Sequence, residues 1–195
     1  MQKRILLVSS EVYPFAKVGG LADVAGALPK ALTSFDNDIR IIMPYYGDIQ
    51  EKAREFAIKS TGIKGVPIVV GDTVEPFEIY STTLPGTKVP VYFIRSEQYF
   101  DRKGIYFDPD TKENFPDQSE RLVFFVKSVL ESCAAINFSP DIVHVNDHHT
   151  ALLPAYLKLS SKYREHPIWK NAASVLTIHN LAYQGLSLIH ISEPT

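Results

Sequence analysis

Short apolar runs and stretches of helical periodicity alternate along this chain. Four of the runs are short and rich in β-branched residues, which is typical of strands buried on both faces of a parallel sheet. They occupy residues 5–8, 39–43, 142–145 and 174–178. Because helical patterns lie between them, the sequence predicts an α/β fold, a Rossmann-like doubly wound parallel sheet with right-handed crossovers.

Two helices are marked by apolar residues at a spacing of three and four. The first spans residues 21–32 and contains Pro29, which is expected to kink the helix or end its regular hydrogen-bond ladder. The second covers residues 118–133. It is preceded by Asp117 with Glu120 three positions later, a spacing that predicts a capping box.

Residues 57–95 follow a different pattern. Three β-rich pieces, at residues 66–70, 74–83 and 89–94, are separated by the turn sequences Gly71-Asp72 and Pro85-Gly86. This pattern predicts an antiparallel β excursion inserted into the α/β unit.

Composition narrows the class of protein further. The chain has 195 residues, 45% of them hydrophobic, and a net charge of -2 without charged blocks. This balance provides no electrostatic reason to expect nucleic acid or an anionic membrane as a partner. The apolar run after Arg4 is too short for a signal peptide, and the single Cys133 lies on an apolar helical stripe, so we expect a buried thiol in a cytoplasmic protein.

A glycine-rich turn follows the first predicted strand. Gly19 and Gly20 stand where the first helix begins, and Lys17 precedes them. Free amides at a helix start favour a phosphate or carboxylate, and the lysine would add a positive charge. A tight turn with a solvated lysine explains the same residues. The segment matches neither the dinucleotide fingerprint nor the P-loop pattern.

Polar residues also follow the third and fourth strand runs. Asn146, Asp147, His148 and His149 come after one of them, and His179 and Asn180 after the other. Ligands of open α/β sheets bind beyond the carboxyl ends of the strands, so we expect both clusters to face one crevice. A metal site built from these histidines is the disfavoured alternative, since His144 lies within a strand and is better explained as a hydrogen-bonded core residue.

Several stretches resemble the glycogen and starch synthases of glycosyltransferase family 5. The first is EVYPFAKVGGLADV at residues 11–24. The others occur in the family's order, at residues 104–109, 114–121, 143–157 and 177–185. One departure is His148, which stands where most members have tryptophan.

The resemblance implies the amino-terminal half of a GT-B fold and a retaining hexosyltransferase. The full enzyme would transfer glucose from ADP-glucose to the non-reducing end of an α-1,4-glucan, with no cofactor or metal. His179 and Asp147 would be the catalytic residues nearest the transferred glucose. Substrate-binding roles would fall to Lys17, Gly19, Gly20, Tyr106 and Asn180.

The resemblance covers residues 1–185 and stops there. Residues 186–195 resemble a translated transposon-end sequencing adaptor, so we expect them to be foreign and the carboxy-terminal nucleotide-binding domain to be missing. The chain alone is then expected to be inactive. Two alternatives stay open, a stand-alone glucan-binding or regulatory module of the same fold and a metal-dependent hydrolase.

Overall fold

A computed structural model describes residues 2–182 and 184 of the chain. Within them, one eight-stranded sheet has the order β3-β5-β6-β2-β1-β7-β8, and β4 pairs with β5. The strands are β1 (Arg4–Val8), β2 (Asp38–Pro44), β3 (Lys59–Ser60), β4 (Val66–Val70), β5 (Thr73–Thr83), β6 (Pro90–Arg95), β7 (Ile142–Asn146) and β8 (Ala173–Thr177). The helices are α1 (Gly20–Thr33), α2 (Gly47–Glu51), α3 (Gln118–Ala135), α4 (Leu152–Leu159) and α5 (Ser161–Arg164).

The central strands are parallel, as predicted. β1 lies between β2 and β7, and β8 pairs with the far side of β7. All residues of β1 after Arg4 are buried, which matches the unbroken apolar run of a strand covered on both faces. The carboxyl ends of β1, β7 and β8 therefore lie side by side at one edge of the sheet.

The antiparallel excursion is present, and its last strand also joins the main parallel sheet. β5 runs antiparallel to both β4 and β6, across the turns at Gly71 and Gly86, both of which have positive φ. β6 itself pairs in parallel with β2. The last predicted piece of the excursion is thus a strand of the main parallel sheet, because its apolar residues complete the buried face beside β2.

Pro29 does not end the first helix, and the predicted capping box of α3 is absent. Pro29 lies inside α1, and the helix continues through it to Thr33. Asp117 precedes α3 without capping it, because its carboxylate accepts a hydrogen bond from Arg102 at 2.5 Å instead. A charged guanidinium forms a stronger hydrogen bond with a carboxylate than a backbone amide does. The tertiary contact with Arg102 therefore takes the place of a capping bond to α3.

Helix α3 and strand β8 differ in burial. Cys133 is fully buried on α3, as predicted, and burial raises its thiol pKa. β8 at the sheet edge is exposed, with Val175 and Leu176 each more than two-fifths accessible.

Within the described residues, none of the helices is both long and apolar enough to cross a membrane. The predicted foreign segment at residues 186–195 lies outside the described part of the chain.

Candidate active site

Three parallel strands bring Glu11 and the predicted site residues Asp147 and His179 to one edge of the sheet. Glu11 follows β1, Asp147 follows β7 and His179 follows β8, and these strands are direct neighbours. The crevice at the carboxyl ends of such strands is the usual ligand position in this class of fold. The two polar clusters are therefore together, as the sequence predicted.

Asp147 is held in a strained conformation. Its φ of 56° is in the left-handed region, which is uncommon for a residue with a side chain. Its amide donates to the carbonyl of Thr177 at 2.9 Å, and its Oδ1 accepts from the amide of His179 at 2.7 Å. The carboxylate thus ties the end of β7 to the end of β8.

His179 is partly buried beside this carboxylate. Its Nε2 hydrogen-bonds Oδ1 of Asn146 at 3.0 Å. The neighbouring Asn180 is exposed, and its Oδ1 accepts from the amide of Ala182 at 2.9 Å, which gives it a local turn role. His144 bonds Thr177 at 2.7 Å, so the predicted hydrogen bond is present, but the residue is only partly buried and does not lie in the core. Burial, and then His179, lower its pKa.

The glycine-rich turn differs from the prediction in one respect. The amides of Val18 and Gly19 are not free, because both donate to Oε2 of Glu11, at 2.5 and 3.0 Å. Glu11 is only 3% exposed, so the protein supplies its own buried carboxylate to this turn. Lys17 lies outside the turn and forms an exposed ion pair with Asp23 at 2.7 Å.

Gly19 and Gly20 have open space around them. A Cβ on either one would meet no atom within 4 Å. Gly19 caps α1 in an extended conformation with φ of -134°, and no side chain caps the helix. Nothing inside the described chain therefore requires glycine at these two positions.

Tyr106 connects a distant loop to the same buried carboxylate. Its hydroxyl donates to Oε1 of Glu11 at 2.5 Å and lies 3.0 Å from Oγ of Ser10. Its ring stacks on His149, with centroids 4.6 Å apart. Burial, followed by Tyr46 and Glu11, raises the pKa of the phenol, so it stays protonated as a donor. Tyr106 thus connects its loop to Glu11 and His149.

Other aromatic residues near the turn are mostly structural. Phe15, Tyr45 and Tyr46 are buried. Tyr13 is 54% exposed.

Arg121 was missed by sequence reasoning. It is 2% exposed on α3, and its Nε and Nη1 donate to the carbonyls of Tyr99 and Ile105 at 2.9 and 3.1 Å. These bonds hold the loop that carries Tyr106, and burial lowers the pKa of Arg121 to about 10. Its position four residues before Phe125, on the apolar stripe of α3, was the available signal.

The imidazole rings of the two histidines after β7 pack against each other. His148 and His149 have centroids 3.7 Å apart, and His149 is 7% exposed. Burial, then His148 and Arg121, lower the pKa of His149 to about 3. Over the described residues, no group of three or more His, Cys, Asp or Glu side chains is arranged to hold a metal ion.

Comparison with known proteins decides the family. The family described as the starch synthase catalytic domain matches residues 4–193. The chain belongs to this family. The glycosyltransferase assignment drawn from the sequence is thereby confirmed.

Curated relatives of this family domain are glycogen synthases. That of Fervidobacterium nodosum is 48% identical over 186 residues, covering 94% of this chain and 36% of the relative. That of Thermotoga maritima is 41% identical over 184 residues, with the same two coverages. The chain therefore spans about a third of the length of these relatives.

A solved structure supports the fold. The catalytic domain of starch synthase IV from Arabidopsis thaliana, bound to ADP and acarbose, aligns with a TM-score of 0.72 and 23% identity. The alignment covers 100% of this chain and 39% of that one. The Rossmann-like sheet of this family domain is thus the arrangement found in a starch synthase catalytic domain.

Proposed function

We propose that the complete protein is a glycogen or starch synthase that transfers glucose from ADP-glucose to the non-reducing end of an α-1,4-glucan with retention. This chain supplies one wall of the active cleft, and the nucleotide-binding domain follows it. The carrying observation is that Glu11 with its glycine-rich turn, Asp147 and His179 follow the carboxyl ends of three adjacent parallel strands, and that Asp147 and His179 are hydrogen-bonded to each other.

Two regions of this wall suit different parts of the reaction. Glucosyl transfer passes through an oxocarbenium-like transition state while a diphosphate leaves. Lys17 and the uncapped start of α1 carry positive potential for the departing charge. Lys17 would exchange its exposed partner Asp23 for the phosphate, a change that costs little because such pairs are weak.

Asp147 and His179 form the sugar side. The Asp147 carboxylate is fixed by the His179 amide and is suited to hold a hydroxyl, while the His179 ring offers a nitrogen to another. Asp147 is not assigned as a covalent nucleophile. Gly19, Gly20, Tyr106 and Asn180 complete the proposed binding set, with Tyr106 acting through Glu11 and the turn.

Several properties of the complete protein belong to the same proposal. It would need no cofactor or metal and would work in the cytoplasm on ADP-glucose and glucan. The catalytic domain of starch synthase IV is bound to ADP and acarbose in its solved structure, which supports a nucleotide ligand for the complete protein. This chain without the second domain would be inactive, because the proposed nucleotide contacts lie mainly in that domain.

The test begins with the gene. Re-sequencing across codon 185 shows whether the reading frame continues into a second domain, and the complete protein is then assayed for incorporation of labelled glucose into glycogen. We expect transfer from ADP-glucose to exceed transfer from UDP-glucose, and digestion of the product to release α-linked maltose. A stop after Thr195 together with saturable maltooligosaccharide binding by the chain would instead establish the stand-alone module.

A further inference from the structure

Asn146 belongs to the polar cluster after β7, and the sequence assigned it no role of its own. It is 1% exposed at the end of β7. Its amide donates to Oγ1 of Thr150 at 2.7 Å, and that hydroxyl donates to its carbonyl at 2.8 Å. Its backbone position is therefore fixed by a closed pair of hydrogen bonds.

The orientation of its carboxamide follows from its neighbours. Nδ2 donates to the carbonyl of Val8 at 3.1 Å and approaches that of His144 at 3.5 Å. A carbonyl oxygen only accepts, so the amino group of Asn146 must face these strands. The opposite assignment would place oxygen against oxygen in a buried site.

This orientation dictates the protonation of His179. The remaining atom, Oδ1 of Asn146, lies 3.0 Å from Nε2 of His179, and an amide oxygen also only accepts. Nε2 must therefore be the nitrogen that carries the proton. In the neutral ring, Nδ1 is then an acceptor.

We propose that Asn146 is a positioning residue that locks His179 in the Nε2–H tautomer, so that Nδ1 accepts a hydrogen bond from a hydroxyl of the transferred sugar. This inference rests on the proposed function and deepens it. With the Asp147 carboxylate anchored by the His179 amide, both sugar-facing groups would then be acceptors. The pocket would select hydroxyl groups that donate.

The tautomer can be measured without any substrate. Histidine-selective ¹⁵N labelling of this chain, with His179 assigned through a His179→Gln variant, reports which ring nitrogen is protonated. We expect Nδ1 of His179 to show the downfield shift of a bare nitrogen at neutral pH. A protonated Nδ1, or the averaged shifts of a free imidazole, overturns the proposal.

An Asn146→Asp variant extends the test, because it places a carboxylate against Nε2. The pKa of His179 is then expected to rise, with His144 and Asp147 as the other titratable groups nearby. Asn171→Asp is the matched control, since this exposed residue precedes β8 at the opposite end of the sheet. An unchanged His179 titration in Asn146→Asp, or an equal shift in Asn171→Asp, counts against the proposal.

Activity of the complete protein supplies the last readout. In Asn146→Asp, kcat should fall about tenfold, the effect of one misdirected hydrogen bond, and the acid limb of its pH profile should move to higher pH. Asn146→Ala should release the ring into both tautomers. Retention of the single Nε2–H tautomer in Asn146→Ala would show a merely structural role. Absence of glucosyl transfer in the wild-type protein would refute the proposed function and leave the tautomer result standing.

Discussion

The hydroxyl of Tyr106 donates to Oε1 of Glu11 at 2.5 Å, while Oε2 of the same carboxylate accepts the amides of Val18 and Gly19. One buried carboxylate thus joins two segments 95 residues apart in sequence. The turn after β1 takes its shape from this contact, so the conformation of the loop around Tyr106 is coupled to the glycine-rich turn.

Removing the Tyr106 hydroxyl should loosen that turn. A hydrogen bond to a charged group contributes about 1.5–3 kcal/mol, so Tyr106→Phe is expected to lower the free energy of unfolding by that order. Urea denaturation measures it, with Tyr92→Phe on β6 as the control. Glu11→Gln should remove most of the same energy, and the double variant should cost less than the sum. Additive losses would show that the two residues act independently.

A substitution at Gly20 tests whether the ligand must approach the backbone of the turn more closely than a side chain would allow. Gly20→Ala places a methyl group where no atom of the described chain lies within 4 Å, and alanine favours a helix by about 0.5–1 kcal/mol over glycine. We expect unchanged or higher stability with a raised KM for ADP-glucose in the complete protein. Gly26→Ala is the contrasting control, because its Cβ would lie 2.6 Å from the carbonyl of Tyr13 and should destabilise α1. An unchanged KM in Gly20→Ala would contradict the proposal that ADP-glucose closely approaches the backbone at Gly20.

Lys17 should matter for catalysis and not for folding. Its pair with Asp23 is exposed, and such pairs contribute about 0–1 kcal/mol, so Lys17→Met should barely change the midpoint of unfolding. Loss of a cation at the departing diphosphate should reduce kcat of the complete protein by about a hundredfold. Lys3→Met, an exposed lysine before β1, is the matched control. Equal kcat in the two variants would contradict the role of Lys17.

His149 should make the fold sensitive to acid. Its folded pKa of about 3 is below the ordinary value of 6.5, so the unfolded chain binds a proton first as the pH falls. Stability is then complete above pH 6.5 and declines between there and about pH 3, by about 1.4 kcal/mol for each unit of separation. His149→Phe keeps a ring against Tyr106 and should flatten this part of the curve of unfolding free energy against pH. An equally steep decline in the variant would assign the sensitivity to other groups.

Local patterns predicted the elements well because strands and helices here bury regular apolar faces. The runs of β1, β2, β7 and β8 were found to within one or two residues, and the long stripe of α3 was recognised. The residue types beyond the strand ends also predicted that Asp147 and His179 come together, since chain order and strand direction suffice for that inference.

The hydrogen-bond partners of individual polar groups could not be predicted in the same way. Asp117 had the spacing of a helix cap, but Arg102 lies close enough to take its carboxylate. The amides of Val18 and Gly19 had the features of an anion site, but Glu11 occupies them. Each outcome depends on which charged group the fold brings within hydrogen-bonding distance, and spacing along the chain contains no information about that distance.

The sequence by itself determined the α/β class, the strand ends that carry polar residues and the family motifs, because these depend on short-range periodicity and residue type. Only the tertiary structure decided that Glu11 fills the turn, that Arg121 holds the Tyr106 loop and that Asn146 orients His179. Those contacts join residues far apart in the chain, so they exist only after the sheet has assembled and buried polar groups have found partners.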